Sequence, residues 1–229
     1  MMQFIMDQKN NKNFIKIQIK KKDTYFDSKE ISELYSDVKK TIIQNYKNFE
    51  IKPFYQIQRK KIKFNVIFDP DKIEFWKKYE SQKWEPEIFN TIEKYVCNDT
   101  YFIDIGAWIG PITLFAKNYA KKIISFEPDP VAYSHLKKNI EINKKYNKDQ
   151  SIILNELAVV SDNNKKIDLY SNEFGNSGSS IYLVNNLKPT QVNSINFIDM
   201  INKYDLINKK LFFKIDIEGY EYDILIKNK

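Results

Sequence analysis

Three acids stand where short apolar runs give way to turns. They are Asp104 in Asp104-Ile105-Gly106-Ala107-Trp108-Ile109-Gly110, Glu127 in Phe126-Glu127-Pro128-Asp129-Pro130, and Asp216 in Lys214-Ile215-Asp216-Ile217-Glu218-Gly219-Tyr220-Glu221. A carboxylate at the carboxyl end of a sheet strand faces the crevice in which open α/β sheets bind ligands, and there Asp104 can meet an ammonium group. Its charge disfavours a pyrophosphate. Glu127 follows Gly106 by 21 residues, the distance that a strand–helix–strand unit imposes, and its paired acceptor oxygens suit the two adjacent hydroxyls of a ribose. The competing use of Glu127 is to cap the helix that begins near Pro130.

Gly106 and Gly110 are expected to let backbone approach a ligand closely, with Ala107 as the small residue between strand and turn and Pro111 in the first helical turn, where a missing N–H costs nothing. Asp216, where an alternating strand emerges at its carboxyl end, is expected to face the same crevice as Asp104, its strand lying beside the first in the fold that the resemblance given below implies. Removing the proton from a neutral alcohol needs a base within hydrogen-bond reach, a role open to Asp216 or Glu218. Glu218 serves equally as a cap for the last helix. At the end of the third strand, Glu156 and Ala158 are both candidates to line an adenine. The Gly175-Asn176-Ser177-Gly178-Ser179-Ser180 loop is either a cover for the site or an ordinary hairpin turn. His135 falls mid-helix, away from the strand tips. A metal held by Asp216, Glu218 and Glu221 lacks any further ligand pattern, so no metal site is expected.

The elements that must position these residues are read from periodicity. From Trp84 onward, a Pro-started helix (86–96), a strand (101–105), a helix (111–120), a strand (122–127), a helix (130–145) and a strand (152–160) alternate, which is the βαβαβ half of a doubly wound sheet. Residues 161–195 interrupt it with β-like pieces at 166–170, 180–184 and 191–195, read as an inserted hairpin. A helix at 196–204, a fourth strand at 211–216 and a final helix at 220–227 follow. The region before Trp84 reads as an α+β extension. It has a strand at 14–19, a helix from Asp27 to about Lys47, strands at 54–58 and 62–68, and a short helix at 72–79. The expected domains are therefore 1–83 and 84–229.

The strings DIGAWIG, FEPDP and KIDIEGYE, in this order and with WEPE ahead of them and LAV in the third strand, resemble the FkbM family of S-adenosylmethionine-dependent methyltransferases. The resemblance spans about Trp84 to the C-terminus. It implies a class I, Rossmann-like methyltransferase fold, S-adenosylmethionine at the carboxyl edge, and methyl transfer usually to a hydroxyl oxygen of a sugar, glycan or secondary metabolite. Asp104, Gly106, Gly110 and Glu127 match the family's cofactor positions. Trp108 stands where the commonest methyltransferase loop has a further glycine and where this family often has Asn.

A nicotinamide enzyme would need the spacing G-x-G-x-x-G, and Trp108 interrupts it. A nucleic-acid methyltransferase would use an Asp/Asn-Pro-Pro-Tyr run or a Pro-Cys pair, and the sequence has neither, so nucleic acid is not the expected partner. The net charge of +7 is confined to residues 1–85, with 19 Lys/Arg against 12 Asp/Glu, while the remainder holds 18 of each. A second reading follows: a cofactor-binding module without turnover, whose basic extension recruits an anionic partner. One cysteine, Cys97, and one histidine exclude a Cys/His zinc site. No apolar run reaches the roughly 20 residues of a membrane span, and a cytoplasmic location is expected by default. Because a class I sheet continues beyond its fourth strand, the chain is expected to be a fragment, with its later strands missing.

Overall fold

The computed structural model describes the backbone of residues 2–7, 14–19 and 50–51, and residues 54–144, 151–182, 187 and 189–227, the side chains of 151 and 227 excepted. The chain forms two compact units, Met1–Glu85 and Pro86–Lys229.

In the first unit, β1 (Met2–Asp7) pairs antiparallel with β2 (Phe14–Ile19), and β3 (Glu50–Ile51) runs parallel to β2. The first of these strands escapes sequence reading because MQFIMD does not alternate. The helix expected between Asp27 and Lys47 lies outside the described residues. A hairpin follows, β4 (Phe54–Arg59) against β5 (Ile62–Ile67), with Lys60 at φ 52° in its tight turn. Asp69 then caps a 3-10 turn, Pro70–Lys72, that leads into α1 (Ile73–Glu80). Ile57, Phe64 and Val66 from the hairpin and Trp76 and Tyr79 from the helix are buried. Phe64 meets both of the latter rings edge-on. The buried Arg59 guanidinium donates to the Tyr79 and Trp84 carbonyls at 2.6 and 3.0 Å, tying the hairpin to the chain end of the helix.

The second unit is built on a four-stranded parallel sheet in the order β12 (Lys210–Ile215), β6 (Thr100–Ile105), β7 (Lys122–Phe126), β8 (Ser151–Asn155). The fourth strand thus lies beside the first, as expected. Side chains alternate across the sheet. Ile103, Ile105, Ile124 and Phe126 share a core with a second sheet and with Met200, Leu206 and Ile224. On α2 (Pro86–Tyr95) and α3 (Pro111–Ala116), Phe89 meets Phe115 with ring centroids 4.8 Å apart. α4 (Pro130–Glu141) completes the βαβαβ half.

Three expectations are corrected here. The third strand does not run from 152 to 160. It leaves the main sheet at Asn155 and re-forms as β9 (Ala158–Val160), in a separate sheet of order β10 (Lys166–Leu169), β11 (Thr190–Asn196), β9. The break coincides with exposed Glu156, and Asn155 is held at the crossing by its own side chain, which donates to the Ser125 carbonyl and accepts from Tyr204. The inserted segment also pairs differently: 166–169 runs antiparallel to 190–196, and of the expected 180–184 piece Ser180 forms an isolated bridge with Tyr170 while 183–184 lie outside the described residues. The helix expected over 111–120 ends at Ala116 and is followed by tighter turns, in which Asn118 and Tyr119 donate to the Phe115 and Ala116 carbonyls. Asn196 caps α5 (Phe197–Lys203) through its side chain, and α6 (Glu221–Lys227) closes the described chain. No described helix is long and apolar enough to cross a membrane.

Candidate active site

Register decides what Asp104 faces. It is paired with Lys214 on one side and Ser125 on the other, so the three side chains form a polar row across one face of the sheet. The Thr113 hydroxyl from α3 donates to Asp104 Oδ2 at 2.5 Å and lies 2.9 Å from the Ser125 hydroxyl. The Lys214 ammonium stands 3.4 Å from Asp104 Oδ1, and Asp104 is 0% exposed. Asp104 therefore lies beneath the turn, within the protein. Its Oδ1 is buried and has no hydrogen-bond partner among the described residues.

The turn that follows is held by the chain itself. The Gly106 and Ala107 amides both donate to the Phe126 carbonyl, at 3.0 and 2.9 Å, and the Gly106 carbonyl accepts from Lys214 Nζ at 2.6 Å. Gly106 and Gly110 clear space for the protein itself. A Cβ at Gly106, where φ is +79°, would stand 1.9 Å from the Asp216 carbonyl oxygen, and one at Gly110, at φ +92°, would stand 2.7 Å from Leu136 Cδ1. Both glycines admit neighbouring parts of the protein, because the sheet and α4 close directly onto the turn.

Glu127 follows the tip of β7 and is 6% exposed. Its Oε2 accepts the Trp108 amide at 2.7 Å and its Oε1 the Asp129 amide at 2.9 Å. Burial raises its carboxyl pKa to about 7, against the opposing pull of those two amides. The helix-capping alternative falls to its neighbour. Asp129 Oδ1 accepts from the Val131 and Ala132 amides at the start of α4, so Glu127 is left to the turn.

Asp216 follows the tip of β12, with its side chain 53% exposed and Oδ2 3.5 Å from Lys214 Nζ. Its neighbour Glu218 is exposed, in a left-handed conformation at φ 55°. Desolvation, then the charges of Asp216 and Glu221, push the Glu218 carboxyl pKa up. Glu221, at the start of α6, accepts the Ile217 amide at 2.7 Å and so holds this turn closed. Among the described residues no three His, Cys, Asp or Glu side chains are placed to hold a metal ion.

Residues 104–229 match the Methyltransferase FkbM domain, which is more than half of the chain. The chain belongs to the FkbM methyltransferase family. The uncharacterized protein MJ1452 of Methanocaldococcus jannaschii is 37% identical over 54 residues, 24% of this chain and 21% of that protein. Among solved structures, a tRNA methyltransferase of M. jannaschii is 20% identical with TM-score 0.31, the match covering 68% of this chain and 48% of that one. Pyrococcus horikoshii TYW2 in complex with MeSAdo is 16% identical with TM-score 0.30, over 62% and 53% of the two chains. This FkbM chain thus spans about half or less of the length of those relatives.

In this FkbM methyltransferase the sequence candidates separate into groups. Asp104, Gly106, Ala107 and Glu127 meet in one turn, Asp216 and Glu218 stand at the adjoining strand tip, and Gly110 packs on α4. Glu156 lies exposed just past β8, whereas Ala158 is 5% exposed within the second sheet, so its place beside the main-sheet edge is corrected. His135 lies half-buried in mid-helix.

Three contributors escaped sequence reading. Lys214 reads as the polar member of an alternating strand, and only its register with Asp104 reveals its place. Trp108 holds a left-handed backbone at φ 49°, and its indole N–H donates to the Gly175 carbonyl at 2.9 Å. Asp129 Oδ2 accepts from the Gly175 amide at 2.7 Å and the Ser179 hydroxyl at 3.1 Å. The 175–179 loop is therefore latched to the residues that follow the first two strands. An indole in a glycine-rich turn is the one sequence signal that pointed there.

Proposed function

We propose that this chain transfers a methyl group from S-adenosylmethionine to a hydroxyl oxygen of a sugar, glycan or secondary metabolite. The observation that carries the reading is the buried Glu127 carboxylate bonded to the amide of Trp108, next to a strand tip bearing the half-exposed Asp216. S-adenosylmethionine supplies an electrophilic methyl group on a sulfonium sulfur.

The residues present suit such a cofactor. Each Glu127 oxygen accepts one amide and keeps further lone-pair capacity for a ribose hydroxyl. Glu127, Asp216 and Glu218 outnumber Lys214 at this edge, which favours a cationic guest. Exposed Glu156, past the third strand, remains the candidate for adenine. Asp216 and Glu218 reach the open side of the tip, where a carboxylate takes the proton of an incoming hydroxyl. The raised pKa of Glu218 brings its basicity closer to what that transfer needs. A small-molecule or glycan acceptor is favoured over nucleic acid because the chain carries neither an Asp/Asn-Pro-Pro-Tyr run nor a Pro-Cys pair.

The test is transfer of a labelled methyl group from S-adenosylmethionine to a panel of hydroxylated sugars and to tRNA. Turnover on a sugar is expected, falling about 10²- to 10⁴-fold in Asp216→Asn or Glu218→Gln with cofactor affinity retained. Transfer to tRNA instead would overturn the acceptor assignment. Cofactor binding without transfer to any acceptor would favour the module without turnover.

A further inference from the structure

We propose that Lys214 is a positioning residue of the cofactor edge, its buried ammonium fastening the Gly106 carbonyl and the Asp104 carboxylate so that the following turn presents the Trp108 amide to Glu127. This rests on the reading of that edge as a cofactor site.

The geometry makes Lys214 the junction of the two central motifs. It is 8% exposed, and its Nζ donates to Gly106 at 2.6 Å while standing 3.4 Å from Asp104 Oδ1 and 3.5 Å from Asp216 Oδ2. Gly106 is otherwise pinned by the Phe126 carbonyl on its amide and by the Asp216 carbonyl against its Cα. The ammonium supplies the remaining constraint, on the carbonyl side. With that side fixed, the chain turns through Ala107, whose amide shares the Phe126 carbonyl, and delivers the Trp108 amide to Glu127 Oε2 at 2.7 Å. An ammonium is suited to this place because one compact charge can donate to the carbonyl and still stand within ion-pair distance of two carboxylates. The same charge acts on Glu127 and favours its ionised form.

Lys214→Met alone leaves the Asp104 charge buried without its counter-charge and is expected to melt early. The deciding variant is therefore Asp104→Asn/Lys214→Met, which removes both charges and the donor to Gly106. Amide hydrogen exchange at Trp108 and the affinities for S-adenosylmethionine and S-adenosylhomocysteine are read on wild type and variant. Exchange at Trp108 is expected to quicken at least about 10-fold, and both affinities to fall by a similar factor, since a misplaced turn affects the charged and uncharged sulfur alike. A folded double variant with wild-type exchange and affinities overturns the proposal, as does loss confined to the charged ligand. If the double variant does not fold, Lys214→Arg decides: it keeps the charge but spreads its donors over a larger planar fork, so the Gly106 carbonyl should be held less well and exchange at Trp108 should quicken, and wild-type exchange at Trp108 in that folded variant overturns the proposal. Wild-type protein that binds neither ligand refutes the cofactor reading, while the exchange measurement still judges Lys214.

Discussion

The Trp108 amide donates to Glu127 Oε2 at 2.7 Å, while the Trp108 indole donates to the Gly175 carbonyl at 2.9 Å. One residue thereby joins the turn after the first strand to the acid after the second and to a loop 67 residues further along the chain. The left-handed backbone of Trp108, which a bulky residue adopts only under constraint, is held by these bonds.

Cofactor affinity should depend on pH through Glu127. Its carboxyl titrates at about 7 in the folded protein, and the ionised form is the better acceptor for ribose hydroxyls. Calorimetry with S-adenosylmethionine should show binding strengthening from pH 6 to 8. Glu127→Gln should weaken binding about 10- to 100-fold at pH 8 and flatten the profile. Unchanged binding in the variant would remove the ribose assignment.

Folding stability should move the opposite way. The folded pKa of Glu127 lies above the ordinary carboxyl value of 4.5, so the folded protein holds a proton that the unfolded chain has released between pH 4.5 and 7. The contribution is fully present below pH 4.5 and is lost as pH rises through about 7, on the order of 3 kcal/mol in all. Urea unfolding of wild type and Glu127→Gln across this window should differ in slope. Parallel curves would show that Glu127 keeps an ordinary pKa.

Trp108→Phe retains ring bulk and removes the indole donor. Stability should fall by about 1 kcal/mol, and exchange should rise chiefly around Gly175, whose carbonyl loses its partner. Unaltered exchange there would show that Asp129 alone secures the loop.

Asp129 divides its oxygens between two tasks: Oδ1 caps α4 and Oδ2 holds the Gly175 amide. Asp129→Asn can keep the cap through its carbonyl oxygen but presents an amide donor to the loop. It should release the loop with a loss of about 1–2 kcal/mol, whereas Asp129→Ala loses both functions and about 2–4 kcal/mol. Equal thermal shifts in the two variants would argue against separate roles.

Gly106→Ala should be among the most damaging single-methyl changes in the domain. The added Cβ would stand 1.9 Å from the Asp216 carbonyl oxygen, at a φ of +79°. The left-handed backbone alone costs about 1–2 kcal/mol, and the clash with main chain adds to it. A melting temperature within a degree of wild type would show that β12 moves aside freely.

Spacing along the chain determined which acids would reach strand tips. A strand, a tight turn, a helix and a second strand place Glu127 after the tip of β7 whatever the rest of the molecule does, and the alternation around Lys214 and Asp216 marks β12 without knowledge of its neighbours. The split of the third strand at Asn155 was not legible, because Asn155 and Glu156 are flanked by apolar runs, 152–154 and 157–160, that together read as one strand although the second belongs to another sheet. The partners of each acid were likewise decided by register between strands distant in sequence: Asp104 became a buried neighbour of Lys214, and the glycines took up approaching backbone and side chain. A sequence states the type of a side chain and its rhythm. What that side chain faces depends on which strand lies beside it, which is settled only when the whole sheet packs.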